Sequence, residues 1–184
     1  NTDMLFEMPD VTFGIEICED LWSVIPPSST LALKGAEIIF NLSADNEGIA
    51  KNNYVRSLIS QQSARCISGY VFGSCGFGES TPDVVFGNNA LIYENGSLLA
   101  ESERFKLEEQ LVVTEIDVER IRSERRVNVT FAANKGRCAL EEPVRIAIDT
   151  TAKQFDLTRT FSPLPFVPFG NELKERCEEI SPFR

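Results

Sequence analysis

Apolar residues recur at every second position along Val11-Thr-Phe-Gly-Ile-Glu-Ile17, placing Val11, Phe13, Ile15 and Ile17 on one face of a strand. The run stops at Cys18-Glu19-Asp20. Pro26-Pro-Ser-Ser-Thr30 has the composition of a helix start, and Leu31, Ala32 and Leu33 carry that helix to Lys34-Gly35. Glu37-Ile-Ile-Phe-Asn-Leu42 is a short apolar run suited to a strand buried on both faces. Over residues 52–66 the spacing becomes helical, with Tyr54, Leu58, Ile59 and Ala64 as the predicted inward positions and Gln61 and Gln62 among them.

Residues 69–74 predict a third strand, and Gly76-Phe-Gly-Glu-Ser-Thr81 a tight turn. Val84-Val-Phe86 and Ala90-Leu-Ile-Tyr93 lead into Asn95-Gly96, a two-residue hairpin signal, with residues 97–101 returning. Residues 111–116 predict the last strand, and Asp117 a cap for a helix over 118–126. Beyond residue 130, Pro143, Pro163, Pro165 and Pro168 punctuate a stretch of weak periodicity. The pattern divides into a domain over 1–130, a linker or wrapping arm over 131–169, and the start of a further domain over 170–184, with a new helix from 171 to 180. Strand–helix alternation followed by hairpins is an α/β plan. One sheet with helices outside it, or two sheets stacked between helix layers, both satisfy it.

Composition changes this picture by exclusion. Of 184 residues, 42% are hydrophobic and 25% charged, an ordinary globular balance, and the length suits one domain or one domain and a piece. Eighteen basic and 28 acidic residues give a net charge of -10, a field that repels phosphate backbones and anionic bilayers, so neither nucleic acid nor membrane is expected as a partner. There is no histidine. Serine–histidine triads, cysteine–histidine dyads and histidine metal sites are therefore excluded. The five cysteines are scattered without a CxxC pair, so no metal site is expected, and free thiols in a cytoplasmic setting are the simplest reading. The chain opens on Asn1 and reads as part of something longer.

Cys18 is the leading candidate for chemistry. It directly follows a strand, which is a rigid support, and N–H groups just beyond it can hold an oxyanion. Its alternative is a buried core cysteine, which the adjacent Glu19 and Asp20 argue against. Without histidine, its proton must pass to a carboxylate or a lysine. Gly76-Phe-Gly-Glu-Ser-Thr81 lacks the Gly-Lys-Ser/Thr ending of a phosphate loop. Arg120, Arg122, Arg125 and Arg126 read as a solvated last turn of a helix, or as a contact with a further domain. Cys66, Cys75, Cys138 and Cys177 read as structural, and Trp22, Phe72 and Phe77 as core or pocket wall.

Gly14-Ile-Glu-Ile-Cys-Glu-Asp-Leu-Trp22 resembles the nucleophile segment of the nitrilase, or carbon–nitrogen hydrolase, superfamily. More narrowly it is similar to the glutaminase domains of bacterial glutamine-dependent NAD synthetases. The narrower likeness is carried by Pro26-Pro-Ser28, Gly35-Ala-Glu-Ile-Ile-Phe-Asn-Leu-Ser43, Gln62-Ser-Ala-Arg65, Gly76-Phe-Gly-Glu-Ser-Thr81, Glu94-Asn-Gly96, Leu99-Ala-Glu-Ser-Glu-Arg-Phe105, Pro165-Phe-Val-Pro168 and Glu175-Arg-Cys177. The resemblance implies the C-terminal portion of a four-layer α-β-β-α sandwich and a Glu-Lys-Cys triad. Of that triad only Cys18 falls on this chain. The glutamate and lysine are expected in upstream segments, so the isolated chain is expected to be inactive.

By position, the resemblance places the grip on the α-amino and α-carboxyl groups of glutamine on Asp45 and Lys51, where the family more commonly has a serine and an arginine. Glu19, Trp22 and Glu79 are expected around the oxyanion or orienting the site. It implies glutamine as substrate, no cofactor in this chain, and ATP with magnesium, and deamido-NAD, handled by an absent synthetase domain. A homo-oligomer is expected. The alternatives are a stand-alone nitrilase-type amidase acting on another amide, and a non-catalytic module of the same fold.

Overall fold

The computed structural model describes residues 3–137, 141–151, 156–161, 163, 167 and 173–180. In chain order it contains β1 (Met4–Glu7), β2 (Thr12–Ile17), a 3-10 turn (Cys18–Trp22), α1 (Pro27–Lys34), β3 (Ile38–Ser43), α2 (Lys51–Cys66) and β4 (Gly69–Ser74). There follow a second 3-10 turn (Phe77–Glu79), β5 (Ala90–Glu94), β6 (Ser97–Glu101), α3 (Val118–Val127), α4 (Val129–Arg137), β7 (Val144–Ala147) and α5 (Leu173–Ile180). The strands form one mixed sheet in the order β6-β5-β4-β3-β2-β1-β7. Its centre is parallel: Glu16 of β2 lies opposite Asn41 of β3, and Asn41 opposite Phe72 of β4. The carboxyl ends of β2, β3 and β4 therefore open on one side of the molecule.

The helices α1 and α2 cover one face. Leu5, Ile39, Tyr70, Phe72, Leu91 and Tyr93 of the sheet pack there with Leu31 of α1 and with Val55 and Ile59 of α2. Gly14 permits the approach of α1, because a Cβ at that position would lie 3.0 Å from a Leu31 methyl. The inward stripe of α2 is Val55, Ile59, Gln62, Ser63 and Cys66, a clean i, i+4, i+7, i+8, i+11 pattern. Of the predicted apolar inward positions only Ile59 is fully buried. Tyr54 and Ala64 are exposed and Leu58 lies at the margin. Ser63 misled the pattern: like Gln62, it is a polar side chain buried and bonded within the core.

Phe13, Ile15 and Ile17 do share a face, and it is the one opposite the helices. There Phe6 stacks on Phe13 and Phe13 meets Phe40 edge-on. Phe13, Ile15, Phe40 and Leu42 line a wholly apolar trough, with Leu42 58% exposed. The expectation of a β3 buried on both faces thus holds for its helix side alone. Residues 111–116 are the second correction. They make no ladder, and Leu111 and Val113 are exposed, while Ile116 packs onto Gly69. Residues 84–86 are likewise not a strand, because Thr81 folds back to bond the N–H groups of Asp83 and Val84. The strands β1 and β7 and the helix α4 went unread in the sequence.

Asp117 caps α3 as predicted, accepting the Arg120 N–H at 2.8 Å. Of the arginines of α3, Arg120 and Arg126 lie largely in solvent, whereas Arg122 and Arg125 are clamped onto the sheet end. Arg122 pairs with Glu37 at 2.5 Å, and the half-buried Arg125 donates to the carbonyls of Ala36, Cys66 and Ile67. These groups precede β3 and β4, so α3 is pinned across the end of the sheet opposite Cys18.

Candidate active site

Cys18 lies where β2 ends and the first 3-10 turn begins, with φ of 51°, a left-handed conformation that a side chain adopts at a cost of roughly 1–2 kcal/mol. Three contacts hold it there. Its N–H donates to Asn41 Oδ1 at 3.1 Å, its carbonyl accepts from Asn41 Nδ2 at 3.2 Å, and Asp20 Oδ2 takes the Ile17 N–H at 2.8 Å. The Ser43 hydroxyl donates to the Cys18 thiol at 3.5 Å. Asn41 is fully buried because β3 register sets it beside Glu16 on the helix face.

Glu16 is itself buried. It accepts the Ser28 N–H at 2.7 Å, in the first turn of α1, and the Tyr70 hydroxyl. Burial and the Glu16 charge push the Tyr70 hydroxyl far up, so it stays protonated and donates. Glu16, Asn41, Ser43 and Tyr70 were not singled out from the sequence. The available signal was polar residues interrupting apolar strand runs, Glu16 within Gly-Ile-Glu-Ile and Asn41 within Ile-Ile-Phe-Asn-Leu.

The structure brings two of the other predicted residues to the same end of the sheet. Lys51, at the start of α2, pairs with Asp45 at 2.5 Å and donates to the Asn46 carbonyl at 2.8 Å. Its ammonium sits 5.3 Å from the Trp22 ring centroid, and Trp22 packs on Tyr54. Trp22 shares the 3-10 turn of Cys18, so the nucleophile candidate and the acid–lysine pair are joined through one aromatic ring. The cleft lined by Asp45, Glu47, Lys51, Asn52, Phe72 and Ser74 has a free volume of about 10 Å³, that of about one water. A larger guest must part Asp45 from Lys51. Glu47 is held behind this loop by Arg104 at 2.5 Å, through the gap that Gly87 leaves.

Glu19 and Glu79 are exposed. Among the described residues, no hydrogen bond or ion pair joins Glu79 to Cys18. Cys66, the last residue of α2, is buried against α1, and burial pushes its thiol up to about 11, which keeps it unreactive. Cys75 is half-buried after β4, and its N–H donates to the Ser43 carbonyl at 3.0 Å. Cys177 is exposed on α5, so a packing role does not apply to it. Cys138 lies outside the described residues. Among the described residues no three histidine, cysteine or carboxylate side chains converge to hold a metal ion, and no helix is long and apolar enough to cross a membrane.

A thiol on a strained strand end, at the same end of the sheet as a paired acid and lysine, is an arrangement compatible with a cysteine nucleophile. Residues 2–126 match the carbon–nitrogen hydrolase family, and the chain belongs to it. The chain is 39% identical over 186 residues to a protein of Mycobacterium tuberculosis named glutamine-dependent NAD(+) synthetase, matching 97% of this chain and 27% of that protein. A human protein of the same name is 31% identical over 117 residues, covering 63% of this chain and 16% of its own length. The chain thus spans about a quarter of the length of the bacterial relative. Among solved structures, the carbon–nitrogen hydrolase of Helicobacter pylori G27 superposes with a TM-score of 0.55 at 21% identity, over 67% of this chain and 46% of that one. The glutamine-dependent NAD+ synthetase of Acinetobacter baumannii superposes with a TM-score of 0.55 at 19% identity, over 61% of this chain and 21% of that one. These two likenesses show the fold: the seven-stranded sheet with its helices is of the nitrilase type.

Proposed function

We propose that Cys18 attacks the side-chain amide of glutamine. The C–N bond breaks as a C–S bond forms, ammonia leaves with the proton taken from the thiol, and water then hydrolyses the γ-glutamyl thioester to glutamate. The observation that carries this reading is Cys18 itself, held by Asn41 at a left-handed strand end on the same side of the sheet as Asp45 and Lys51. Its own N–H is taken by Asn41, so the oxyanion falls to the next N–H groups of the 3-10 turn, beginning with Glu19. Asp45 receives the α-ammonium and Lys51 the α-carboxylate, exchanging their mutual ion pair for two with the substrate. Requiring that pair to open disfavours neutral amides, which could compensate neither charge.

The general base and the oxyanion lysine are supplied by segments outside these residues, so the isolated 184-residue chain releases no ammonia. In the longer protein the ammonia is consumed in the ATP-dependent amidation of deamido-NAD, by a synthetase domain that holds ATP and magnesium. The names of the relatives support that reading, and the four described free cysteines fit a cytoplasmic setting.

The test is ammonia release by the full-length protein from glutamine, asparagine and a neutral amide such as butyramide. Activity on glutamine alone, abolished by Cys18→Ala, is the expected result. Equal activity on butyramide would favour a general amidase, and activity surviving Cys18→Ala would refute the nucleophile.

A further inference from the structure

A buried polar chain runs from the first turn of α1 to the backbone of Cys18. Glu16, 1% exposed, accepts the Ser28 N–H at 2.7 Å with one oxygen and the Tyr70 hydroxyl with the other. The Tyr70 oxygen accepts from Asn41 Nδ2 at 3.1 Å. The same Nδ2 donates to the Cys18 carbonyl, and Asn41 Oδ1 accepts the Cys18 N–H.

The direction of every bond in this chain is linked. An ionised carboxylate only accepts, so Tyr70 donates to it. The phenol oxygen then has only acceptor capacity left, and Asn41 must offer it the amide NH₂. That orientation turns Oδ1 toward the Cys18 N–H and NH₂ toward its carbonyl, which are the two bonds that hold the strained residue. A left-handed non-glycine residue persists only where its surroundings over-determine it. Here the surroundings are the two polar atoms of one side chain, Asn41, whose orientation is fixed by Glu16 through Tyr70 at one end and by the Cys18 backbone at the other.

We propose that Glu16 is a positioning residue for the nucleophile: through Tyr70 and Asn41 it locks the Cys18 backbone in the conformation that presents the thiol. The proposal rests on the reading of Cys18 as the amide-cleaving nucleophile. It assigns Tyr70 and Asn41 a part in the reaction although neither need touch substrate. The plain alternative is a network that merely ties α1 to the sheet.

The experiment uses the full-length protein and the isosteric variant Glu16→Gln. A glutamine amide that accepts from Ser28 must offer its NH₂ to Tyr70, so two donors meet somewhere between Ser28 and Cys18. The expected result is a kcat for glutamine hydrolysis lower by about tenfold or more, with KM within about twofold, and a matching drop in the rate at which iodoacetamide alkylates Cys18, followed by peptide mass mapping. Adding Tyr70→Phe removes the hydroxyl that carries the conflict, so the double variant recovers about threefold or more over Glu16→Gln alone.

A network that only ties α1 down predicts the reverse: lower thermal stability in Glu16→Gln, wild-type kcat and alkylation, and a double variant worse than either single. Either wild-type kcat with wild-type alkylation, or a double variant no faster than Glu16→Gln, overturns the proposal. Should Glu16→Gln fail to fold, Tyr70→Phe alone decides, with slowed Cys18 alkylation supporting it and an unchanged rate overturning it. If the wild-type protein does not hydrolyse glutamine, the glutaminase reading fails by itself, and the alkylation rates still judge Glu16.

Discussion

Cys18 combines reactivity with backbone strain, and the two can be separated by substitution. Cys18→Ala removes the thiol and keeps a Cβ at φ of 51°, whereas Cys18→Gly also relieves the conformation. Both variants are expected to be inactive, with Cys18→Gly more stable than Cys18→Ala by about 1 kcal/mol in urea unfolding. Equal stabilities would mean that the left-handed conformation carries no cost.

Cys66 makes a second prediction at this scale. Its thiol is pushed up to about 11 from 9.0 by burial, so above pH 9 the unfolded chain releases a proton that the folded chain retains. Stability falls as pH rises through that window, by about 1.4 kcal/mol between pH 8 and pH 10. Cys66→Ser is expected to abolish this part of the pH dependence in paired urea titrations. Arg125, lowered by burial to about 10 and bonded to the Cys66 carbonyl, contributes with the opposite sign only at the top of this window.

Cys18, Asp45, Lys51 and Trp22 were all singled out in the sequence, and the structure gathers them at one end of the sheet. Asn41 and Tyr70 were not, since their part depends on register between strands more than twenty residues apart. Glu79 was overread: its neighbours Gly76 and Gly78 mark a turn, and the turn leaves it in solvent.

At the level of elements, local signals were read correctly where they specify backbone geometry. Asn95 and Gly96 have φ of 46° and 85° and close the β5–β6 hairpin, and Asp117 caps α3. Burial was read less well, because α2 hides Ser63 and exposes Tyr54. Ile59→Ala is therefore expected to cost about 2–4 kcal/mol, and Tyr54→Ala less than about 1 kcal/mol. Comparable losses at both positions in urea unfolding would restore the inward face drawn from the sequence alone. Residues 111–116 show the other limit: their apolar alternation is that of a strand, yet a strand also requires a partner edge, and alternation carries no information about one.

For the whole molecule, the seven-stranded sheet covers one face with α1 and α2 and leaves Phe13, Ile15, Phe40 and Leu42 on the other. That is the geometry of one half of the layered sandwich to which the sequence pointed, and it explains why a strand with an apolar outer face preserves its alternation so clearly. The arginine clamps of α3 and the Cys18 loop occupy opposite ends of this sheet, so the packing that stabilises one end is separate from the chemistry at the other.

The central claim is that Cys18 is the nucleophile for glutamine. Its most direct test is reaction of the full-length protein with an electrophilic glutamine analogue, followed by mass mapping of every cysteine, with and without excess glutamine. Labelling confined to Cys18 and suppressed by glutamine is the predicted result. Labelling spread over the thiols and indifferent to glutamine would contradict the account, leaving the fold in place and the assigned chemistry without support.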